Sequence, residues 1–178
     1  MNLAILESHP PISKKALRDF ERRIGCHVPR VLREFLLNHD GAETDAVKTT
    51  LYPTFCACPF RSIPLARILG IQGRDPRVLT IEQTLEEFDH LIPRNSIPFA
   101  QDAFGSFLSV DLDSEQVDYV NIEEAGNGTP ATWFRTGLVI ADVIESAGQF
   151  STILQRAQSP AKRRILALRV KRRLMGTD

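Results

Sequence analysis

Two adjacent stretches decide the fold: Leu17-Arg-Asp-Phe-Glu-Arg-Arg-Ile-Gly25, and then Val28-Pro29 with Leu32-Arg-Glu-Phe-Leu-Leu-Asn-His-Asp-Gly41. Apolar residues recur in both at intervals of three and four, which is the spacing of one face of an α-helix. Ser13 can cap the first helix, and Gly25 stands where a glycine ends a helix in the left-handed conformation. Pro29 suits the first turn of the second helix, where its missing N–H costs no hydrogen bond. The sequence therefore predicts a pair of helices that stops at His39-Asp40-Gly41.

The rest of the chain predicts strands that follow one another, with helices before and after them. Residues 46–60 are interpreted as extended and residues 63–69 as a short helix. Thr80-Ile-Glu-Gln83 has capping-box spacing before a helix that ends near Leu91. Strands are predicted over 97–101, 107–112, 117–122 and 131–135, and a helix over 141–158. We therefore expect an α+β fold: two N-terminal helices, a central largely antiparallel sheet, helices packed on it and a C-terminal helix.

Length and composition limit the class of protein. The chain has 178 residues, which suits one domain with a full core and a short appendage. We predict a domain over residues 1–159 and a basic C-terminal helical tail over residues 160–178. No apolar run exceeds four residues, against the roughly 18–20 that a membrane-spanning helix needs. Glu7 interrupts the apolar start, and three cysteines are too few for a disulfide framework, so we expect a cytoplasmic protein without a secretory signal.

The charged residues cancel over the whole chain but are unevenly distributed along it. There are 22 Lys and Arg residues against 22 Asp and Glu residues, so the formal net charge is zero. Residues 82–124 nevertheless contain eleven acids and one base, whereas residues 160–178 contain seven bases and one acid. Segregation of this kind points to charged partners or surfaces more than the total does.

The helical opening resembles that of the SUKH superfamily, which is named partly for yeast cell-wall synthesis regulators. The family opening is a helix ending in Leu/Ile-Gly, then Leu-Pro or Val-Pro, then a helix reading Phe-Leu and closing in Asn-Gly. This sequence has Ile24-Gly25, Val28-Pro29 and Phe35-Leu36 at those places, and Asp40-Gly41 departs from the pattern by its aspartate.

The resemblance covers roughly residues 13–157. It continues at Ile92-Pro-Arg-Asn-Ser-Ile-Pro-Phe-Ala-Gln-Asp102, at Gly105 with the strand 107–111, and at the closing helix 140–154 with Phe150. The segment 61–91 is longer and more helical than the family pattern, and the basic tail lies outside that pattern.

The resemblance implies a binding function. Most bacterial members look like immunity proteins that neutralise toxins, often nucleases, of polymorphic or contact-dependent systems, and fungal relatives are regulatory interaction proteins. No family-wide catalytic residues exist to carry over. The implied partner is a cognate protein toxin encoded by a neighbouring gene, and the implied mechanism is occlusion of that toxin without turnover.

The acidic segment supplies the candidate residues for such a partner. A carboxylate surface can mimic nucleic-acid phosphates and occupy a basic groove, and complementary charge of this kind speeds encounter and selects partners. The alternative is a solvated acidic face without a partner. The candidates on or beside the predicted strands are Asp102, Asp111, Asp113, Glu115, Asp118, Glu123 and Glu124.

The basic tail has three interpretations. It packs as a helix on its own domain or on a sister subunit of a homodimer, it binds phosphates of a nucleic acid, or it lies on a membrane surface. Intruding arginines spoil a single apolar face, and no aromatic residue is interleaved to stack bases. The alternative function is therefore a regulatory or nucleic-acid-associated protein acting through Lys162, Arg163, Arg164, Arg169, Lys171, Arg172 and Arg173.

The sequence carries no motif typical of an enzyme or of a metal site. Cys56-Ala-Cys58, with Cys26-His27 elsewhere, is either a set of buried apolar cysteines or a metal or redox pair, but zinc sites favour other spacings. The four histidines are scattered, and HExxH, Walker-type, Gly-x-Ser-x-Gly and dinucleotide-binding motifs are missing from the sequence. We therefore predict no enzyme, no cofactor and no metal.

Overall fold

The computed structural model of the chain describes residues 5–46, 49–54, 58–73, 78–122 and 132–144. Within these ranges the elements are β1 (Ile5–Ser8), α1 (Lys14–Ile24), α2 (Arg30–Asn38), β2 (Ala42–Thr44), β3 (Thr50–Leu51), β4 (Ile63–Ile68), α3 (Ile81–Phe88), β5 (Ser96–Asp102), β6 (Phe107–Asp111), β7 (Gln116–Asn121) and β8 (Thr132–Val139). Residues 140–144 are helical. The predicted α+β class is confirmed. Residues 145–158 of the predicted C-terminal helix and the tail 160–178 lie outside the described residues.

All pairings between the described strands are antiparallel. The strand order is β1-β2-β4-β5-β6-β7-β8, and β3 pairs with the first residues of β4. Strands β5 to β8 pair with their neighbours in sequence, as in a meander. Strand β4 lies between β5 on one side and β2 and β3 on the other.

The helix pair forms as its local signals predict. The Ser13 hydroxyl accepts a hydrogen bond from the Ala16 N–H at 3.1 Å, and Gly25 ends α1 with φ +72°. Pro29 precedes α2 directly. The apolar stripes of the two helices face the core, with buried side chains at Leu17, Phe20, Leu32, Phe35 and Leu36.

Both faces of the central strands are buried. Phe107 pairs with Val120 on one face of the sheet, and the next residue, Leu108, pairs with Tyr119 on the other. Helix α3 covers the first face, since the rings of Phe88 and Phe107 lie 5.1 Å apart. Phe60 covers the second face, with its ring centroid 4.7 Å from that of Tyr119.

The predicted short helix over residues 63–69 is wrong, because these residues form β4. Their buried positions, Ile63, Leu65 and Ile68, suit a helix or a strand by spacing alone, and a bulge before Arg67 obscures the alternation. The partners that satisfy the β4 backbone come from distant residues. The Pro64 carbonyl, for example, accepts from the Ala103 N–H at 2.9 Å.

Residues 40 and 41, the junction that links α2 to β2, lie so close to Gly70, just beyond β4, that the two backbones touch. Gly41 has φ +84°, and a Cβ added to it would lie 2.9 Å from the Gly70 nitrogen. A Cβ added to Gly70 would lie 2.5 Å from the Asp40 carbonyl oxygen. Only glycine therefore fits at positions 41 and 70.

The buried Asp40 carboxylate fixes the chain beyond Gly70. Its two oxygens accept from the Ile71 N–H at 2.7 Å and from the Gln72 N–H at 3.2 Å. The Gly70 carbonyl then accepts from the N–H of Ile81, the first residue of α3, at 2.9 Å. Thr80 and Gln83 complete the predicted capping box. The junction therefore positions α3.

We expect Gly41→Ala to lower the free energy of unfolding by about 2–4 kcal/mol, because a left-handed backbone and a steric overlap both oppose the added methyl. Gly70→Ala adds the overlap alone and should cost about 1–3 kcal/mol. Gly25→Ala is the matched control, since φ is +72° there but nothing lies within 4 Å of the added Cβ. For Gly25→Ala, urea unfolding should show a loss of about 1–2 kcal/mol in the free energy of unfolding. A loss at Gly41 no larger than at Gly25 would contradict the steric account.

Candidate partner-binding surface

The turn between β6 and β7 carries three of the predicted acidic residues: Asp111, Asp113 and Glu115. The Asp111 Oδ1 atom accepts from the N–H of Asp113 at 3.2 Å and from the N–H and hydroxyl of Ser114, each at 2.8 Å. These hydrogen bonds, above all that of the Ser114 N–H, lower the pKa of Asp111. The turn is thus held by an ionised carboxylate at its base.

Neighbouring elements hold the same turn from two further sides. The Asn95 side chain donates to Asp113 Oδ2 at 2.9 Å, and the Asn95 carbonyl accepts from the Leu112 N–H at 2.9 Å. The Glu115 carbonyl accepts from the Ile140 N–H at 3.0 Å, and Glu115 itself has φ +55°. Asp113 is exposed and Glu115 is part-exposed, so both side chains reach solvent from a fixed backbone.

The predicted surface position of Asp118 is wrong, because this residue lies inside the protein. It is 1% exposed, and its Oδ1 atom accepts from Arg135 Nε at 3.0 Å. The hydrogen bond with Asp118 raises the pKa of Arg135, whose Nη1 also donates to Gln116 Oε1 at 2.8 Å. The Arg135 guanidinium therefore compensates the charge of this carboxylate within the same chain. Asp118 shares a face of β7 with the buried Val120, and this alternation is the signal in the sequence for its burial.

Asp102 is buried as well, at 3% exposure. Its Oδ2 atom accepts from the Tyr119 hydroxyl at 2.8 Å, and its Oδ1 atom accepts from the N–H groups of Phe104 at 2.8 Å and Ser106 at 2.9 Å. Burial raises the pKa of Asp102, although these donors oppose the shift. Asp102 shapes the β5–β6 turn and does not face a partner.

The remaining acids of the segment are distributed over α3 and its end. Glu86, Glu87 and Asp89 are exposed. Glu82 forms a two-fold hydrogen-bonded ion pair with Arg23 of α1, at 2.7 and 2.9 Å, and this contact lowers the pKa of Glu82. The predicted candidates Glu123 and Glu124, and all seven basic candidates of the tail, lie outside the described residues.

In the described part of the chain, three exposed aromatic side chains are not among the predicted site residues: Phe104, Trp133 and Tyr52, the last of which follows β3 and is 59% exposed. Phe104, at the tip of the β5–β6 turn, is 66% exposed, and Trp133, on β8, is 50% exposed. Aromatic residues are enriched among the side chains that carry binding energy in protein interfaces. Phe104 is exposed because β5 pairs with β6 and leaves it in the turn between them. Trp133 is exposed on β8, at the end of the strand order. Both positions depend on strand pairing, which sequence patterns do not show.

The described ranges show neither a metal-binding cluster nor a membrane-spanning helix. In these ranges no three or more His, Cys, Asp or Glu side chains are arranged to hold a metal ion. Cys26 and Cys58 are free, half-buried thiols, and burial raises the pKa of Cys26; Cys56 lies outside the described part. Among the helices described, none is long and apolar enough to cross a membrane.

The helix pair, its Val28-Pro29 link and the Asp40-Gly41 junction all fall within a region shared with known proteins. The sequence model of the SMI1 / KNR4 family (SUKH-1) matches residues 11–150. The chain belongs to this family. SUKH proteins are generally non-enzymatic immunity or regulatory proteins, and toxin immunity proteins are among them.

A curated relative of this SUKH chain comes from a bacterial prophage. It is the SPbeta prophage-derived uncharacterized protein YokK of Bacillus subtilis (strain 168), 23% identical over 121 residues. The similar region is 61% of this chain and 62% of the relative, so the match spans less than two thirds of that protein.

The raised pKa of Asp102 predicts a pH dependence of stability. An acid whose pKa is higher in the folded state stabilises the fold fully below its unfolded pKa, and this contribution falls as pH rises through the folded pKa. The unfolding free energy of the wild type relative to Asp102→Asn should therefore be larger near the ordinary Asp pKa of 3.8 than at about pH 7. Urea unfolding of both proteins across this range measures the difference. A constant difference, or one that grows with pH, would contradict the assignment.

Proposed function

We propose that this SUKH protein is a non-enzymatic immunity protein that neutralises a nuclease-type bacterial toxin by covering its active site with an acidic surface. The observation that carries the proposal is the β6–β7 turn. It places Asp111, Asp113 and Glu115 within five consecutive residues, on a backbone held by Ser114, Asn95 and Ile140. Membership of a family that includes toxin immunity proteins supports the same conclusion.

The chemistry follows from the charge of a nuclease groove. Such a groove binds phosphates, so it carries basic side chains that a row of carboxylates can occupy. Because the turn is already ordered, binding need not order it, and the entropic cost of association is reduced. Long-range attraction between opposite charges also raises the association rate.

The proposed surface is narrower than the acidic segment of the sequence. Asp113 and Glu115 supply its accessible charge, and Asp111 supplies both charge and the shape of the turn. Asp102 and Asp118 are left out because their carboxylates are bonded internally. The exposed acids of α3, Glu86 and Glu87, add to the field that draws a basic partner.

The partner in this proposal is the toxin encoded by a neighbouring gene, and inhibition requires no turnover. The immunity protein covers the toxin groove for as long as the complex lasts. Its potency is therefore set by the association and dissociation rate constants of the complex.

We expect Asp113→Lys with Glu115→Lys to lower the association rate constant for the cognate toxin by at least about tenfold at low salt, and to abolish protection of cells that co-express the toxin. Asp111 is left unchanged so that the turn keeps its shape. Stopped-flow binding at several salt concentrations and a growth assay measure the two effects.

The matched control is Glu7→Lys with Glu43→Lys. These two exposed acids pair across β1 and β2, so the control makes the same change in net charge at the opposite edge of the sheet. It should protect cells as well as the wild type does. Full protection by the Asp113 and Glu115 variant would overturn the acidic-surface mechanism, and lack of any toxic neighbour would overturn the immunity assignment.

A further inference from the structure

The C-terminal end of α1 and the loop that leads to α2 form an open depression of about 480 Å³. Its volume falls within the range of roughly 300–1,000 Å³ that is usual for small-molecule sites. It is lined by Arg18, Glu21, Arg22, Gly25, Cys26 and His27.

The one carboxylate in this lining is already bonded within the protein. Glu21 is buried, and its Oε1 atom accepts from the Val28 N–H at 3.0 Å and from Arg33 Nη2. The His27 Nδ1 atom lies 3.6 Å from the same oxygen. Arg33 therefore compensates the negative charge at the floor of the depression.

The walls carry an excess of positive charge. Arg18 and Arg22 stand one helical turn apart on α1, about 6 Å along its axis. Both are exposed. Arg22 bonds to Asp19 at 3.1 Å, whereas Arg18 has no ion pair with any other residue in the described ranges. The Cys26 thiol, whose pKa burial raises, adds a neutral apolar surface.

We propose that this depression binds a small phosphomonoester, such as a nucleotide or a sugar phosphate. Two guanidinium groups on one side of a concavity can grip phosphate oxygens through paired N–H donors, and the His27 ring offers a further donor. The Cys26 surface and the methylene stems of the arginines are suited to the uncharged part of the ester. The proposal is independent of the acidic turn, because the depression attracts charge of the opposite sign.

A purely structural role accounts for only part of this arrangement. Arg22 and Arg23 lie in the last turn of α1, where cations interact favourably with the helix dipole. Arg18 lies a turn earlier and lines the depression. Among the described residues it has no ion pair, and the Glu21 carboxylate in the same lining is bonded to Arg33. Arg23 pairs with Glu82 and is not part of the lining.

The test is a titration of the full chain, followed by the amide resonances of residues 18–28, at ionic strength held constant with sodium chloride. Inorganic phosphate, glucose 6-phosphate and AMP are the probes. We expect saturable shifts, with at least one ester binding several-fold more tightly than inorganic phosphate. Arg18→Ala with Arg22→Ala should weaken that ester at least about tenfold, the loss expected when two charge-assisted contacts are removed.

Two further variants make the result interpretable. Arg30→Ala removes an exposed arginine of α2 that pairs with Glu34 outside the depression, and it should leave binding unchanged. Arg18→Lys with Arg22→Lys keeps both charges without the paired donors and should bind with intermediate affinity. This variant also keeps the test valid if the alanine variant is unstable.

Three outcomes would overturn the proposal. If the esters bind no more tightly than inorganic phosphate, the depression holds an adventitious ion only. If the shifts fail to saturate, or if chloride alone produces them, no specific site exists. If the Arg18 and Arg22 variants bind the ester as the wild type does, the two arginines are not its ligands.

Discussion

The close approach of Asp40 and Gly41 to Gly70 is the constraint on which the rest of the structure depends. A buried carboxylate is costly unless charge-assisted hydrogen bonds offset the loss of water, and the Ile71 and Gln72 amides supply them. The same junction exchanges backbone hydrogen bonds with His9, next to β1, and sets Ala42 opposite Ile68 in the sheet. This junction therefore joins three strands and two helices.

Acidic residues serve three different purposes in this SUKH domain, and the burial of each carboxylate separates them. Asp40, Asp102 and Asp118 are buried and accept hydrogen bonds from groups of the protein, so they act as internal connectors. Asp111 shapes a turn and stays part-exposed. Asp113 and Glu115 keep most of their hydrogen-bonding capacity for solvent or a partner. A dense acidic segment is thus partly scaffold and partly surface.

Sequence reasoning succeeded where the signal is local. Caps and apolar stripes located the two helices, and alternation located β5 to β7. It failed at β4, because three apolar residues suit a helix or a strand until distant partners are known. The short strands β1 and β2 carry no pattern of their own and were not predicted. The burial of Asp102 was also hidden, because its donor Tyr119 lies 17 residues away. Cation partners such as Arg135 are fixed by strand register, which the sequence does not state.

Native-state hydrogen exchange in Asp40→Ala tests the central claim most directly. If the junction holds the fold together, the amides of His9, Ile71 and Ile81 should exchange in the wild type only through global unfolding. In Asp40→Ala all three should lose protection together, whereas Asp40→Asn, which keeps one acceptor, should retain most of it. Protection of His9 and Ile81 that survives in Asp40→Ala, with only Ile71 and Gln72 affected, would show that the carboxylate organises a single loop and would contradict the account.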